Sequence, residues 1–197
     1  AANGKIFVNI IDPNENAAKV SVWDGFPDTV FVDVCDLPNP DEFPGTLQSD
    51  LYPFPGGIVI VSPEIVPPPS NNRIESDDEP TTEVWTSLWF SDGTTTGTRL
   101  LKRFARIDKD QAVQLPSGFS WVGGLLYFSA DDGEHGPEPW VTDLTPEGTR
   151  LLEDVHKGLK GSNPTRLTRG LGTLFFAADD GTWAGNELHM LDPDTRM

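Results

Sequence analysis

Two motifs recur in this chain at nearly one spacing. Residues 88–101 read LWFSDGTTTGTRLL and residues 139–152 read PWVTDLTPEGTRLL, so Trp89 maps to Trp140, a shift of 51 (140 − 89). Residues 126–133 read LYFSADDG and residues 174–181 read LFFAADDG, a shift of 48 (174 − 126). A period of about fifty residues belongs to propellers, solenoids or arrays, in which each unit buries its apolar face against its neighbours. The period therefore limits the chain to a stack of small, similar modules.

The modules read as β-structure. Apolar residues alternate over short runs, and 19 Gly and 18 Pro punctuate them, the pattern of many short strands between turns. The expected fold is all-β, a propeller-like array of about four blades of antiparallel strands, incomplete at its ends. The units are residues 1–46, 47–107, 108–160 and 161–197 of one repeat domain. In the third, four strands are expected at 118–122, 124–130, 139–142 and 149–155. The fourth repeats the first three as TRLTRG, TLFFAA and ELHML. In the second, Gly56-Gly57 before IVIVS matches Gly123-Gly124 before LLYFS, with later strands at 86–91 and 98–104. In the first, strands are expected at 3–10, 19–23 and 29–34. Residues 63–83, rich in Pro and acid, read as an insertion forming a surface loop, where a partner contact would sit. The first unit lacks an opening strand and the fourth a closing one. The expectation is a longer chain, with a partner subunit at the open edges as the alternative. A start at Ala1 fits signal cleavage or the beginning of a fragment.

Charge narrows the functions. With 14 Lys+Arg against 31 Asp+Glu the net charge is −17, which repels nucleic acid and anionic lipid. Residues 1–87 carry 15 acidic and 3 basic side chains, so a cation or a basic partner is sought there first. Cys35 is alone, which excludes an intramolecular disulfide and a Cys-based zinc site. No apolar run approaches the roughly 18 residues of a membrane span.

The segment DGTTTGT at 92–98 reads as a structural turn built on Asp92, Gly93 and Gly97, with Asp143 and Gly148 as their counterparts. Leu144 replaces Gly93 in the third unit, so a positive φ is not expected to be obligatory there. These residues, with 126–152 and 174–192, resemble the ELWxxDGT repeat family of large secreted or surface proteins. The resemblance covers residues 88–197 and reaches 1–87 by extrapolation. It implies a propeller-like β array, an extracytoplasmic location and no catalytic residues. The chain departs from the family pattern at Leu144, Pro139 and His189, and in the insertion.

Asp131, Asp132 and Glu138 recur as Asp179, Asp180 and Glu187. Hairpin-turn chemistry accounts for the Asp-Asp-Gly runs. Calcium is the sharper alternative, since it takes oxygens from flexible loops, although the alternating acids of an EF-hand are absent. His135 corresponds to Trp183 and His189 to Trp140; no histidine spacing marks a metal site. No nucleophile elbow, P-loop or dinucleotide fingerprint is present, so no catalytic residue is assigned. Trp89 and Trp140 are expected to pack between sheets, and packing is the expectation for the unrepeated tryptophans also. The sequence points to a non-catalytic structural or protein-interaction module. A carbohydrate-binding propeller, using an exposed Trp, is the second reading. A glycan-active enzyme, using paired carboxylates, is the third.

Overall fold

The computed structural model describes residues 6–12, 17–23, 32–37, 50–66, 83–94, 96–106 and 115–191. Every regular element among them is a β-strand, and no helix is long and apolar enough to cross a membrane. Short alternating runs between Gly- and Pro-bearing turns give neighbouring strands in antiparallel meanders. The chain divides into two compact units, residues 1–99 with 106–113, and residues 100–105 with 114–197.

In the first unit, β1 (Ile6–Asp12), β2 (Ala17–Trp23) and β3 (Val32–Leu37) form a sheet of that order. The strand expected at 29–34 lies later, because Val32 faces Val22 and the register shifts between Val20 and Ser21. Next come β4 (Asp50–Phe54), β5 (Gly57–Val66) and β6 (Glu83–Ser91), followed in the same sequential sheet by β7 (Arg99–Arg106), whose residues 100–105 belong to the second unit. The expected loop at 63–83 is corrected at both ends. Pro63 faces Thr86 and Val66 faces Glu83, so the β5–β6 ladder runs into the insertion. Residues 67–82 lie outside the described residues.

In the second unit, β8 (Ser117–Val122), β9 (Leu125–Asp131), β10 (Pro137–Thr142) and β11 (Arg150–Leu151) make one sheet. Then β12 (Thr165–Gly170), β13 (Thr173–Asp179) and β14 (Asn186–Leu191) make another. The strand expected at 149–155 shrinks to Arg150–Leu151. Leu152 still donates to the Pro139 carbonyl at 2.9 Å, but the N–H groups of Val155 and His156 go to a side chain, Glu138.

Register corrects the alignment of the second sequence unit by one residue. Phe54 pairs with Gly57, leaving Pro55-Gly56 as a two-residue turn. Val122 pairs with Leu125 around Gly123-Gly124, and Gly170 with Thr173 around Leu171-Gly172. Gly57 is therefore the counterpart of Leu125, not of Gly124. It is glycine because a Cβ there would strike the Ser91 carbonyl and the Phe90 ring. In this frame Ile60, Phe128 and Phe176 are equivalent, and their partners across the ladder are Trp89, Trp140 and His189.

Alternation sorts the second unit into faces. Phe128 and Trp140 share one face, and Phe104 meets both edge-on at centroid distances of 5.9 and 5.0 Å. Val122, Tyr127 and Val141 share the opposite face. They pack into one core with Leu167, Leu174, Phe176, Ala178 and Leu191 from the β12–β14 sheet. Two sheets thus stack with the second face of one on the first face of the next. Each large apolar side chain so enclosed contributes about 1.5–3 kcal/mol.

Candidate functional site: repeated turns and an enclosed carboxylate

Six hydrogen bonds of the turn after β6 recur in the turn after β10. The N–H and hydroxyl of Thr94 both donate to Asp92 Oδ1, at 2.8 and 2.6 Å. The Gly97 N–H donates to Thr94 Oγ1, and the Thr98 hydroxyl donates to the Thr94 carbonyl. Gly93 N–H donates to Ser91 Oγ, and Ser91 and Thr98 Oγ atoms lie 2.7 Å apart. Since Thr98 has given its proton to the carbonyl, the Ser91 hydroxyl is the donor in that last pair.

The turn after β10 repeats all six. Thr145 donates twice to Asp143 Oδ1, at 2.9 and 2.6 Å. Gly148 donates to Thr145 Oγ1 and Thr149 to the Thr145 carbonyl. Leu144 N–H donates to Thr142 Oγ1, which lies 2.7 Å from Thr149 Oγ1. Gly97 and Gly148 are needed for space, since a Cβ at either would fall on the carboxylate of Asp92 or Asp143. The loss of glycine at 144 does not change the backbone: φ is +82° at Gly93 and +69° at Leu144, so the left-handed conformation is adopted in both copies. Leu144 adopts it at a cost of roughly 1–2 kcal/mol, which the burial of its side chain offsets at about 1.5–3 kcal/mol.

The acidic runs form separate turns. Asp131 Oδ1 accepts from the Gly133 N–H, and Asp179 Oδ1 from the Gly181 N–H, both at 2.8 Å. Asp132 Oδ1 accepts from the N–H groups of Glu134 and His135, and its Oδ2 lies 2.9 Å from His135 Nδ1. Burial pushes the Asp132 carboxyl upward, but those backbone donors and the imidazole outweigh it and hold it below its ordinary value. The bond to Asp132 in turn raises His135 above its ordinary value. Asp180 Oδ1 accepts from Thr182, whose side-chain and backbone bonds hold the carboxyl low. Asp179 is held low by the Gly181 N–H and by Lys160, whose Nζ lies 3.0 Å away.

The structure does not gather the two sequence-predicted calcium sets. Among the described residues the three-member group of potential ligands within 4.8 Å of one another is Asp132, Glu134 and His135. Of these only Asp132 belongs to a predicted set. Glu138 sits elsewhere, fully buried. Its Oε1 accepts from the N–H groups of His156 and Ser162, both at 3.0 Å. Its Oε2 accepts from the Val155 N–H at 3.2 Å and the Ser162 hydroxyl at 2.5 Å. Charge-assisted bonds of this kind are about twice as strong as neutral ones, and four of them compensate a carboxylate withdrawn from water. The loop bearing the donors is pressed onto the strand. Asn163 N–H donates to the Pro137 carbonyl at 3.0 Å, and a Cβ on Gly161 would collide with Pro137. Glu187, the counterpart of Glu138, is exposed.

The indole nitrogens of Trp89 and Trp140 and Nε2 of His189 are buried without a hydrogen-bond partner among the described residues. They occupy one equivalent position in three sheets. Trp140 is packed as expected, whereas Trp183 departs from the packing expectation and is 99% exposed. The ring of His189 lies flat on Phe176 at 5.2 Å. Sequence reasoning paired Glu138 with the Asp turns and missed its enclosure, because its donors lie 17 to 24 residues downstream and three are backbone groups. Comparison with protein-family models, with curated proteins and with solved structures returned no match for this chain.

Proposed function

We propose that this protein is a non-catalytic structural or protein-interaction module whose sheets are the blades of a propeller-like array in an extracytoplasmic assembly. The observation that carries the reading is how the repeated polar residues are used. Asp92 and Asp143 are consumed in matched turns, and Glu138 binds the connection between two sheets. The resemblance to ELWxxDGT repeats supports the extracytoplasmic location. Turnover assays on a panel of glycan and peptide substrates test the non-catalytic reading. No turnover is expected, and turnover that one Asp or Glu substitution abolishes would overturn it.

A second reading, carbohydrate binding, draws on Trp183. An exposed aromatic ring beside Asp180 and Thr182 offers an apolar face next to polar groups, the combination on which sugar rings stack. A glycan array separates the readings: binding lost in Trp183→Ala would favour the lectin.

A further inference from the structure

We propose that the β12–β13 hairpin presents Arg166, Arg169 and Leu171 as a docking surface for an acidic peptide segment of a partner protein, its carboxylates on the guanidiniums and an apolar side chain on Leu171. The proposal rests on the interaction-module reading and names the surface and the chemistry of the partner. It follows from comparing two hairpins that share one frame. Ser117, Ser120 and Val122 face Ser129, Tyr127 and Leu125. Thr165, Thr168 and Gly170 face Ala177, Phe175 and Thr173. Each first strand shifts register once, between Ser117 and Ser120 or between Thr165 and Thr168, where two residues oppose one in a β-bulge. Each hairpin holds one left-handed residue in that bulge and another at the start of its turn. The β8–β9 hairpin has glycine at both places, Gly118 at φ +69° and Gly123 at +60°. The β12–β13 hairpin has Arg166 at +55° and Leu171 at +53°.

A side chain is strained in that conformation. Burial offsets the strain at Leu144, but Arg166 is exposed and Leu171 fully so. The Thr168 hydroxyl donates to the Arg166 carbonyl at 2.8 Å, a bond that glycine at 166 would keep. Arg169 faces Leu174 where Trp121 faces Leu126 in the preceding sheet, and it too is exposed. Among the described residues neither guanidinium has an ion-pair or hydrogen-bond partner, although the chain holds 31 Asp+Glu. Guarding a sheet edge does not require these arginines, because β8 carries the same bulge at the same edge with no charged residue. Gly118 and Gly123 are exposed with the β12–β14 sheet packed against theirs, so openness belongs to these positions in every repeat rather than to one sheet. Guanidinium groups take carboxylates in paired, planar contacts, and arginine is a frequent anchor of protein interfaces. Leu171 favours a peptide over a sulfated sugar, which would leave its side chain uncovered.

Panning a phage library of random peptides on the full chain tests this, with counter-selection on the Arg166→Gly, Leu171→Gly double variant. Enriched peptides should carry Asp or Glu beside a large apolar residue. A synthetic copy of the most enriched peptide should bind wild type by fluorescence anisotropy. Its affinity should fall about tenfold or more in each of Arg166→Gly, Arg169→Ala and Leu171→Gly. The two glycine variants restore the residues of the β8–β9 hairpin, so their thermal unfolding midpoints should equal or exceed that of wild type. A lowered midpoint overturns the proposal, since the side chain would then serve the fold. So do a panning without enrichment, enriched peptides without acidic residues, and peptide binding indifferent to Leu171. Heparin binding that needs the arginines but not Leu171 would assign the surface to an anionic sugar and overturn it equally. None of these results touches the interaction-module reading, which falls only on substrate turnover or on the glycan array.

Discussion

Gly93 and Leu144 occupy one position of one turn, and both hold a left-handed backbone, at φ +82° and +69°. The six hydrogen bonds that the two turns share are the same in kind and nearly the same in length. The conformation is therefore set by the side-chain network rather than by glycine, and a buried leucine tolerates it.

The network predicts a coupled pair of substitutions. Gly148→Ala forces a methyl group onto the Asp143 carboxylate and should cost about 1–3 kcal/mol. Asp143→Ala removes the acceptor for both Thr145 donors and should cost about 1 kcal/mol or more. In the double variant the clash is gone, so the loss should be clearly smaller than the sum. Urea unfolding of the four proteins reads the difference. Strict additivity would show that the turn does not depend on this contact.

Glu138→Ala leaves three N–H groups and the Ser162 hydroxyl without their acceptor. The expected loss is about 3–5 kcal/mol, the scale for removing one side of a buried charged arrangement. Ser162→Ala removes one of four donors and should cost about 1.5–3 kcal/mol. Glu187→Ala, at the exposed counterpart, should change stability by less than about 0.5 kcal/mol. Similar losses at Glu138 and Glu187 would contradict the enclosure.

The Asp132–His135 pair sets a pH window for its turn. His135 is raised from 6.5, so its contribution is complete below 6.5 and fades as pH rises through the raised folded value. Asp132 is lowered from 3.8, so its contribution is complete above 3.8 and fades as pH falls through the lowered value. The turn should be most ordered between these limits. An NMR titration should place the His135 midpoint above 6.5 in the native protein and lower it in Asp132→Asn. A midpoint unmoved by that substitution would separate the two groups.

Trp140→Phe should cost little, about 1 kcal/mol, because the indole N–H it removes has no partner and an aromatic ring still meets Phe104. Phe176→Ala opens a cavity between two sheets and should cost about 3–5 kcal/mol. Thermal unfolding of the two variants gives the order. A larger loss for Trp140→Phe would reveal an acceptor for the indole.

Much of the fold was legible because strand alternation and turn residues are local signals. The all-β class, the short antiparallel strands and the Trp89–Trp140 equivalence came from spacing. The errors share a cause. Gly57 was aligned with Gly124 because two glycines look alike in sequence, while ladder register separates a turn residue from a strand residue. Residues 152–155 were extended as strand because LLEDV alternates, yet two backbone donors after Leu152 turn to Glu138. Glu138 itself was read with the nearest acids, since nothing local marks Val155, His156 and Ser162 as its partners.

The enclosure of Glu138 gives the chain a direction. The carboxylate on β10 is made first during synthesis, and the groups that satisfy it arrive later, on the segment leading into β12. Until that segment closes over it, β10 carries a charge that favours staying open to water. Closing the loop and placing the β12–β14 sheet are then one event, so this junction should set late and all at once, like a latch that the following sheet carries with it.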